Sequence, residues 1–241
     1  MPLHIDLDRL KASPATIWEV FLEVEQTLAG LPLLSETLRQ TDGQRTAALQ
    51  KRAALLGVAT MHPESLLLLT RLFRDEGLEM ADYLSERHAA TLDASEKQAL
   101  LPAGVHVQKT VTLLLDGKLL LVTSIGDGEL GRKERIALLK RLGLSRETPH
   151  HFRFNPPNIV PESDLGQLRG IVNPFIQPDR DIVLGALVHL PWPEAWAAEE
   201  VAVSISPCES VRVPLQSYWS ILSRYIAEIL PDLDLIELKA T

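Results

Sequence analysis

Residues 105–124 read VHVQKTVTLLLDGKLLLVTS, and they limit the fold more tightly than any other stretch. Val105, Val107, Lys109, Val111, Leu113 and Leu115 fall on one face of a strand, with His106, Gln108, Thr110 and Thr112 on the other. Asp116-Gly117 is a strong two-residue hairpin turn, and Lys118–Ser124 is the returning strand. An all-helical fold is thereby excluded. The first hundred residues, in contrast, follow helical spacing. Ser13-Pro14 opens a helix carrying Ile17, Phe21, Val24 and Leu28 up to Gly30. Ser35 opens a second segment, interrupted at Thr41-Asp42-Gly43 and resumed over Thr46–Leu56, and His62-Pro63-Glu64 starts a third. Beyond the hairpin, a helix is predicted over Arg132–Leu142 and strands over Gly170–Asn173, Asp181–Leu190, Glu200–Ser206 and Ser210–Val213. A last helix runs from near Pro214 to Leu230. The expected fold class is α/β (α+β): a mixed sheet with surrounding helices in residues 61–241, preceded by a helical extension in residues 1–60.

Composition narrows the function. Hydrophobic residues at 46% and charged residues at 23% are globular values. The longest purely apolar run is four residues, as at Leu66–Leu69 and Leu119–Val122, far short of a membrane span, and MPLHIDLDRL offers no signal-peptide core. A soluble, cytoplasmic protein without membrane contact is expected. Cys208 is the only cysteine, so no disulfide closes within the chain. The net charge of −8 has the wrong sign for a protein that coats nucleic acid. One stretch runs against it: Arg132–Arg146 holds six bases and one acid. That stretch is either a solvated helix face or the one surface that meets a polyanion.

Four features bear on chemistry. Lys109 interrupts the apolar face of its strand. Either its stem covers the sheet end while the amine reaches water, or it is a cation held in a cleft for a phosphate or carboxyl group. Gly166-Gln-Leu-Arg-Gly170-Ile-Val-Asn-Pro174 places two glycines four apart and a proline four further on. Such a loop can turn bare amides toward a carbonyl or an attacking water, or it can be two turns around a short strand. Gly126-x-Gly128-x-x-Gly131 follows a strand and opens a helix, the context of a nucleotide-binding loop, but Asp127 and Glu129 put anions where a pyrophosphate would sit. The histidines have no metal-ligand spacing, there is no G-x-S-x-G, and no partner base is indicated for Cys208. No metal and no cofactor are expected.

In order, these pieces resemble the YbaK/prolyl-tRNA-synthetase-associated editing domain. The likeness begins at Pro63–Leu78 and continues through the strand with its Lys109-Thr110 pair, the hairpin, the Gly-Asp loop and the helix ending in Leu-Gly. It then reaches Gly166-x-x-x-Gly170-x-x-x-Pro174 and closes on Leu215–Leu230. The resemblance implies an aminoacyl-tRNA deacylase that hydrolyses a mischarged ester without a metal. Lys109 would contact the terminal adenosine or its phosphate and orient the ester. The loop from Gly166 to Gly170 would present amides to the aminoacyl carbonyl, with Thr110, Arg169, Asn173 and Pro174 shaping the substrate pocket. Arg132, Lys133, Arg135, Lys140 and Arg141 would meet tRNA phosphates. Asn173, where the family often has serine, and Arg169, inside the loop, depart from the pattern. Two rivals stand beside the deacylase. One is a non-catalytic binding module using residues 1–60 for a protein partner or a homodimer; the other is a nucleotide-binding enzyme using Gly126–Gly131.

Overall fold

Asp116 and Gly117 both take positive φ, 47° and 84°. The type I′ turn this makes matches the twist of the strands it joins. These strands are β1 (Val105–Leu115) and β2 (Lys118–Ile125), paired antiparallel from Gln108↔Ile125 to Leu115↔Lys118. The computed structural model describes residues 14–85, 87–91, 94–177 and 184–238; Ser13 and residues 181–183 of the expected strand lie outside them. Around the hairpin, the chain adds β3 (Phe152–Phe154), β4 (Ala186–His189), β5 (Glu200–Ser206), β6 (Glu209–Pro214) and β7 (Asp234–Glu237). The seven strands form one mixed sheet in the order β6-β5-β1-β2-β4-β7, with β3 on a second edge of β1. β5 runs parallel to β1, and β4 runs parallel to both β2 and β7. The fold is α/β with a mixed sheet.

Helices cover both faces. In chain order they are α1 (Pro14–Ala29), α2 (Leu34–Leu38), α3 (Asp42–Leu56), α4 (Pro63–Asp75), α5 (Ala94–Leu100), α6 (Arg132–Arg141), α7 (Pro161–Asp164) and α8 (Leu215–Ile229). On one face α4 and α8 bury Leu66, Leu69, Phe73, Tyr218, Leu222 and Tyr225 against Leu121, Ile125, Val201 and Val203. On the other, Leu138 and Leu139 of α6 pack on Leu113, Leu115, Leu120 and Val122. Each such side chain contributes about 2 kcal/mol by leaving water.

Three expectations shift. The interruption expected at Thr41-Asp42-Gly43 falls at residues 39–41, between α2 and α3; Thr41 is the N-cap residue and Asp42 the first residue of α3, whose acidic first turn suits the positive end of the helix. Gly170–Asn173 forms no strand, because the Gln167 and Asn173 side chains hold its backbone in a loop. β3 and β7, with three and four residues, are too short to carry a readable period.

The helices of the first sixty residues pack into the same body. Phe21, Val24 and Leu28 of α1 share a core with Leu168, Ile171 and Cys208, and Leu34, Leu38 and Leu49 join the core beneath the sheet. Burial pushes the Cys208 thiol up to about 12, which leaves it an inert apolar group.

His189 on β4 is fully buried among Trp192, Trp219 and Tyr218, and neither ring nitrogen has a hydrogen-bond partner among the described residues. Desolvation, outweighing a weak influence of the Leu190 backbone, pulls its pKa from 6.5 to about 3. A base depressed on folding takes its proton only in the unfolded chain, so its stabilising effect is complete above the unfolded value and falls away below it. Between about pH 6.5 and 3, stability should drop by roughly 1.4 kcal/mol per unit from this group. Urea midpoints measured down that range should fall faster for the wild type than for His189→Leu; equal slopes would reject the assignment.

Candidate functional site

On its outer edge β1 changes partners. Val105–Val107 pair with β5, and Leu113–Leu115 pair with β3. On that edge no strand of the described residues lies beside residues 108–112, which pair only with β2 on the other side, and there the sheet splits. The two flanking strands part here: β5 carries a bulge in its pairing with β6 between Ser204 and Ser206, and β3 is only three residues long. Asn155, at a positive φ of 44°, turns the chain away after β3 while its amide still donates to the Thr112 carbonyl (2.8 Å). The alternation of an antiparallel pair sends the Thr110 backbone groups away from β2 and into the gap.

The gap opens into a cleft of about 740 Å³. Its β1 wall is residues 107–112, including Lys109 and Thr110; across from it lie residues 155–157, 159–161 and 169–172, and Lys97 and Ser204 are among the rest of the lining. Lys97, Lys109 and Arg169 line it, and among the described residues no acid does. In a chain of net charge −8 that is a local reversal, and it favours an anionic or electron-rich ligand.

Lys109 is 31% exposed, its amine 3.6 Å from Asp127 Oδ1. The Asp127 carboxylate stands fully in water, so this pair holds the lysine weakly. Arg169 is held from behind: the buried Glu162 carboxylate accepts its backbone N–H (3.1 Å) and lies 3.5 Å from its Nε. Gly170 faces the cleft with φ of 91°.

The rest of the loop is turned inward. Gly166 (φ 66°) is not a lining residue, nor are Asn173 and Pro174. Asn173 is 3% exposed: its N–H donates to Gln167 Oε1, its Oδ1 accepts from Phe175 N–H, and its Nδ2 donates to the Ser204 carbonyl. The expectation that the amides of Gly166–Gly170 face a carbonyl narrows for a plain reason. The amides of Gln167, Leu168 and Arg169 already donate to Pro161 O, Val58 O and Glu162. Gly170 is the glycine of this loop that lines the cleft, and its amide has no hydrogen-bond partner among the described residues.

Of the basic helix, Arg132, Lys133, Lys140 and Arg141 are exposed. Arg135 is committed to structure: its Nε donates to the Leu130 carbonyl, and its guanidinium lies 5.3 and 5.4 Å from the rings of Phe152 and Phe154. That contact ties α6 to β3, whose continuation forms the cleft wall.

The Gly126–Gly131 loop is closed by its own neighbours. A Cβ on Gly126 would lie 2.8 Å from Trp196, whose ring stacks on His106 at 3.7 Å. The Glu134 carboxylate comes within 2.8 Å of the corresponding point on Gly131, at the start of α6. A nucleotide phosphate would have to displace that anion from the helix N-terminus.

Two cleft residues escaped sequence reasoning. Lys97 sits on α5, a single two-turn helix too short for a period, which is docked by the Gln98 side chain to the Val105 carbonyl and the Val107 amide (2.8 and 2.9 Å). Ser204 looked like any polar residue of β5. No group of three or more His, Cys, Asp or Glu residues placed to hold a metal occurs among the described residues, and none of their helices is singly long and apolar enough to cross a membrane.

No family model and no curated protein matches this chain. Among solved structures it is similar to a scaffold protein carrying computationally grafted linear epitopes (12% identity, TM-score 0.42) and to a proposed trans-editing enzyme for prolyl tRNA synthetase (15% identity, TM-score 0.41). Each likeness covers 73% of this chain and 98% of the other. At these scores neither supports a statement about activity.

Proposed function

We propose that the cleft hydrolyses the ester of a mischarged aminoacyl-tRNA, in the sheet domain of residues 61–241, with the helices of residues 1–60 supporting its loop. One observation carries the reading: Lys109 and Thr110 on β1 face Arg169 and Gly170 across an open cleft whose described lining holds three cations and no acid. Lys109 orients the terminal nucleotide, Arg169 meets ribose or phosphate, and the Gly170 amide takes the carbonyl oxygen. An aminoacyl ester is already activated, so positioning and preset charge suffice for most of the acceleration. Arg132, Lys133, Lys140 and Arg141 supply the phosphate contacts of the acceptor stem.

Turnover of mischarged tRNA by the wild type and by Lys109→Ala tests this. Loss of the orienting cation should slow hydrolysis roughly 10²–10³-fold. Equal rates reject the role, and no turnover by the wild type rejects the activity.

One feature favours a second reading, a binding module without catalysis. Trp18 and Leu22, one turn apart on α1, stay 37% and 40% exposed and offer a face to a protein partner or a second copy.

A further inference from the structure

Lys97 is a lysine 5% exposed, with Ser204 Oγ as its side-chain partner at 2.5 Å; no carboxylate of the described residues pairs with it. Both residues line the cleft beside Gly170. A serine against a buried lysine in the wall of an open cleft is the arrangement of a nucleophile and its base. We infer that Ser204 and Lys97 form a nucleophile–base pair through which the cleft takes up an acyl group. This rests on reading the cleft as an ester-hydrolysing site. Burial lowers the Lys97 pKa to about 7, with no counter-charge among the described residues, so a large share of the amine is neutral near neutrality.

The Lys97 lone pair takes the Ser204 hydroxyl proton as Oγ bonds to the acyl carbon, and the carbonyl oxygen becomes the oxyanion. Collapse re-forms the carbonyl and breaks the bond to the alcohol oxygen, which leaves with the proton from the Lys97 ammonium. A water then gives its proton to Lys97 and attacks the acyl carbon. Oγ departs, recovers the proton, and the free acid is released. No other reactant is required.

The test uses the full chain with a fluorophosphonate probe and, separately, p-nitrophenyl acetate, with the site read by intact mass and peptide mapping. Wild type should carry the phosphonyl or acetyl group on Ser204. Ser204→Ala should carry none, and Lys97→Met should label roughly a hundredfold more slowly, with a rate that has lost its rise near neutral pH. Mapping on the wild type needs no variant to fold: a chain left unlabelled at Ser204 overturns the inference, as does equal labelling of Lys97→Met and wild type. Failure of the editing reading looks different, since Ser204 would be labelled while mischarged tRNA stays intact. Conversely, unlabelled Ser204 and unchanged tRNA turnover by Ser204→Ala would remove the pair and leave the editing reading standing.

Discussion

Glu209→Gln should destabilise the fold by about 3–5 kcal/mol, the largest effect expected from any one-atom change in this chain. Glu209 on β6 is 4% exposed and pairs through one oxygen with the Arg52 guanidinium, itself 5% exposed on α3. Its other oxygen accepts from Arg87 Nε at 3.2 Å, and Arg87 also donates to the carbonyls of Leu31 and Pro32. Arg52 Nε donates to Thr60 Oγ1 at 3.2 Å. One carboxylate thus ties two helical segments and a loop to the edge of the sheet. Burial already pulls the Arg52 pKa down, and Glu209 opposes that pull. The glutamine keeps the shape and removes the charge, so Arg52 remains in the interior without a counter-ion. The fall in Tm should be roughly 10 °C. Adding Arg52→Met should recover much of the loss, because the pair as a whole returns little beyond its own desolvation cost. If the single variant melts with the wild type, the guanidinium has found water and the network does not anchor these helices.

Phe175→Ala is the second large effect, and it reaches the cleft. Phe175 is 1% exposed and stands edge-on to Tyr225 and Tyr218, with centroids 5.2 and 6.3 Å away. Truncation should cost about 3–5 kcal/mol from lost burial and the cavity left behind. Its backbone is the end of the loop's internal zipper: Phe175 N–H donates to Asn173 Oδ1 at 2.9 Å, and Gln167 Nε2 donates to the Phe175 carbonyl at 3.2 Å. Once the ring no longer fixes that end, Gly170 loses its register against Lys109. A displacement near 1 Å is worth about a hundredfold in rate for a positioned reaction. With the proposed editing reaction as the readout, unfolding should therefore shift and kcat on mischarged tRNA should fall together in Phe175→Ala, while Phe175→Leu keeps most of both. A destabilised variant with unchanged kcat would show that the ring supports the core without setting the loop.

The hairpin was legible because a period of two and an Asp-Gly turn are local properties, written in adjacent residues. So were α4 and α8, whose apolar stripes repeat every helical turn. Lys109 was legible as an interruption of such a pattern, and Gly170 as a residue whose spacing suggests a bare backbone. α5 was not, since seven residues hold no period and its place depends on the Gln98 amide docking on β1. The resemblance places Gly166 and Asn173 at the pocket through the spacing of their loop, and spacing says which residues share a loop, but not which of their groups are already taken by Val58, Glu162 or Gln167.

The alternation of residues 105–124 dictated a sheet, its register and the face on which Lys109 stands, because side-chain direction along a strand follows from backbone geometry alone. Where β1 loses its neighbour, which amide is left over in the loop, and that Lys97 meets Ser204 across 107 residues of chain were decided by packing. Those facts depend on how far β5 and β3 diverge, and divergence is a property of the assembled sheet that no neighbouring residues encode.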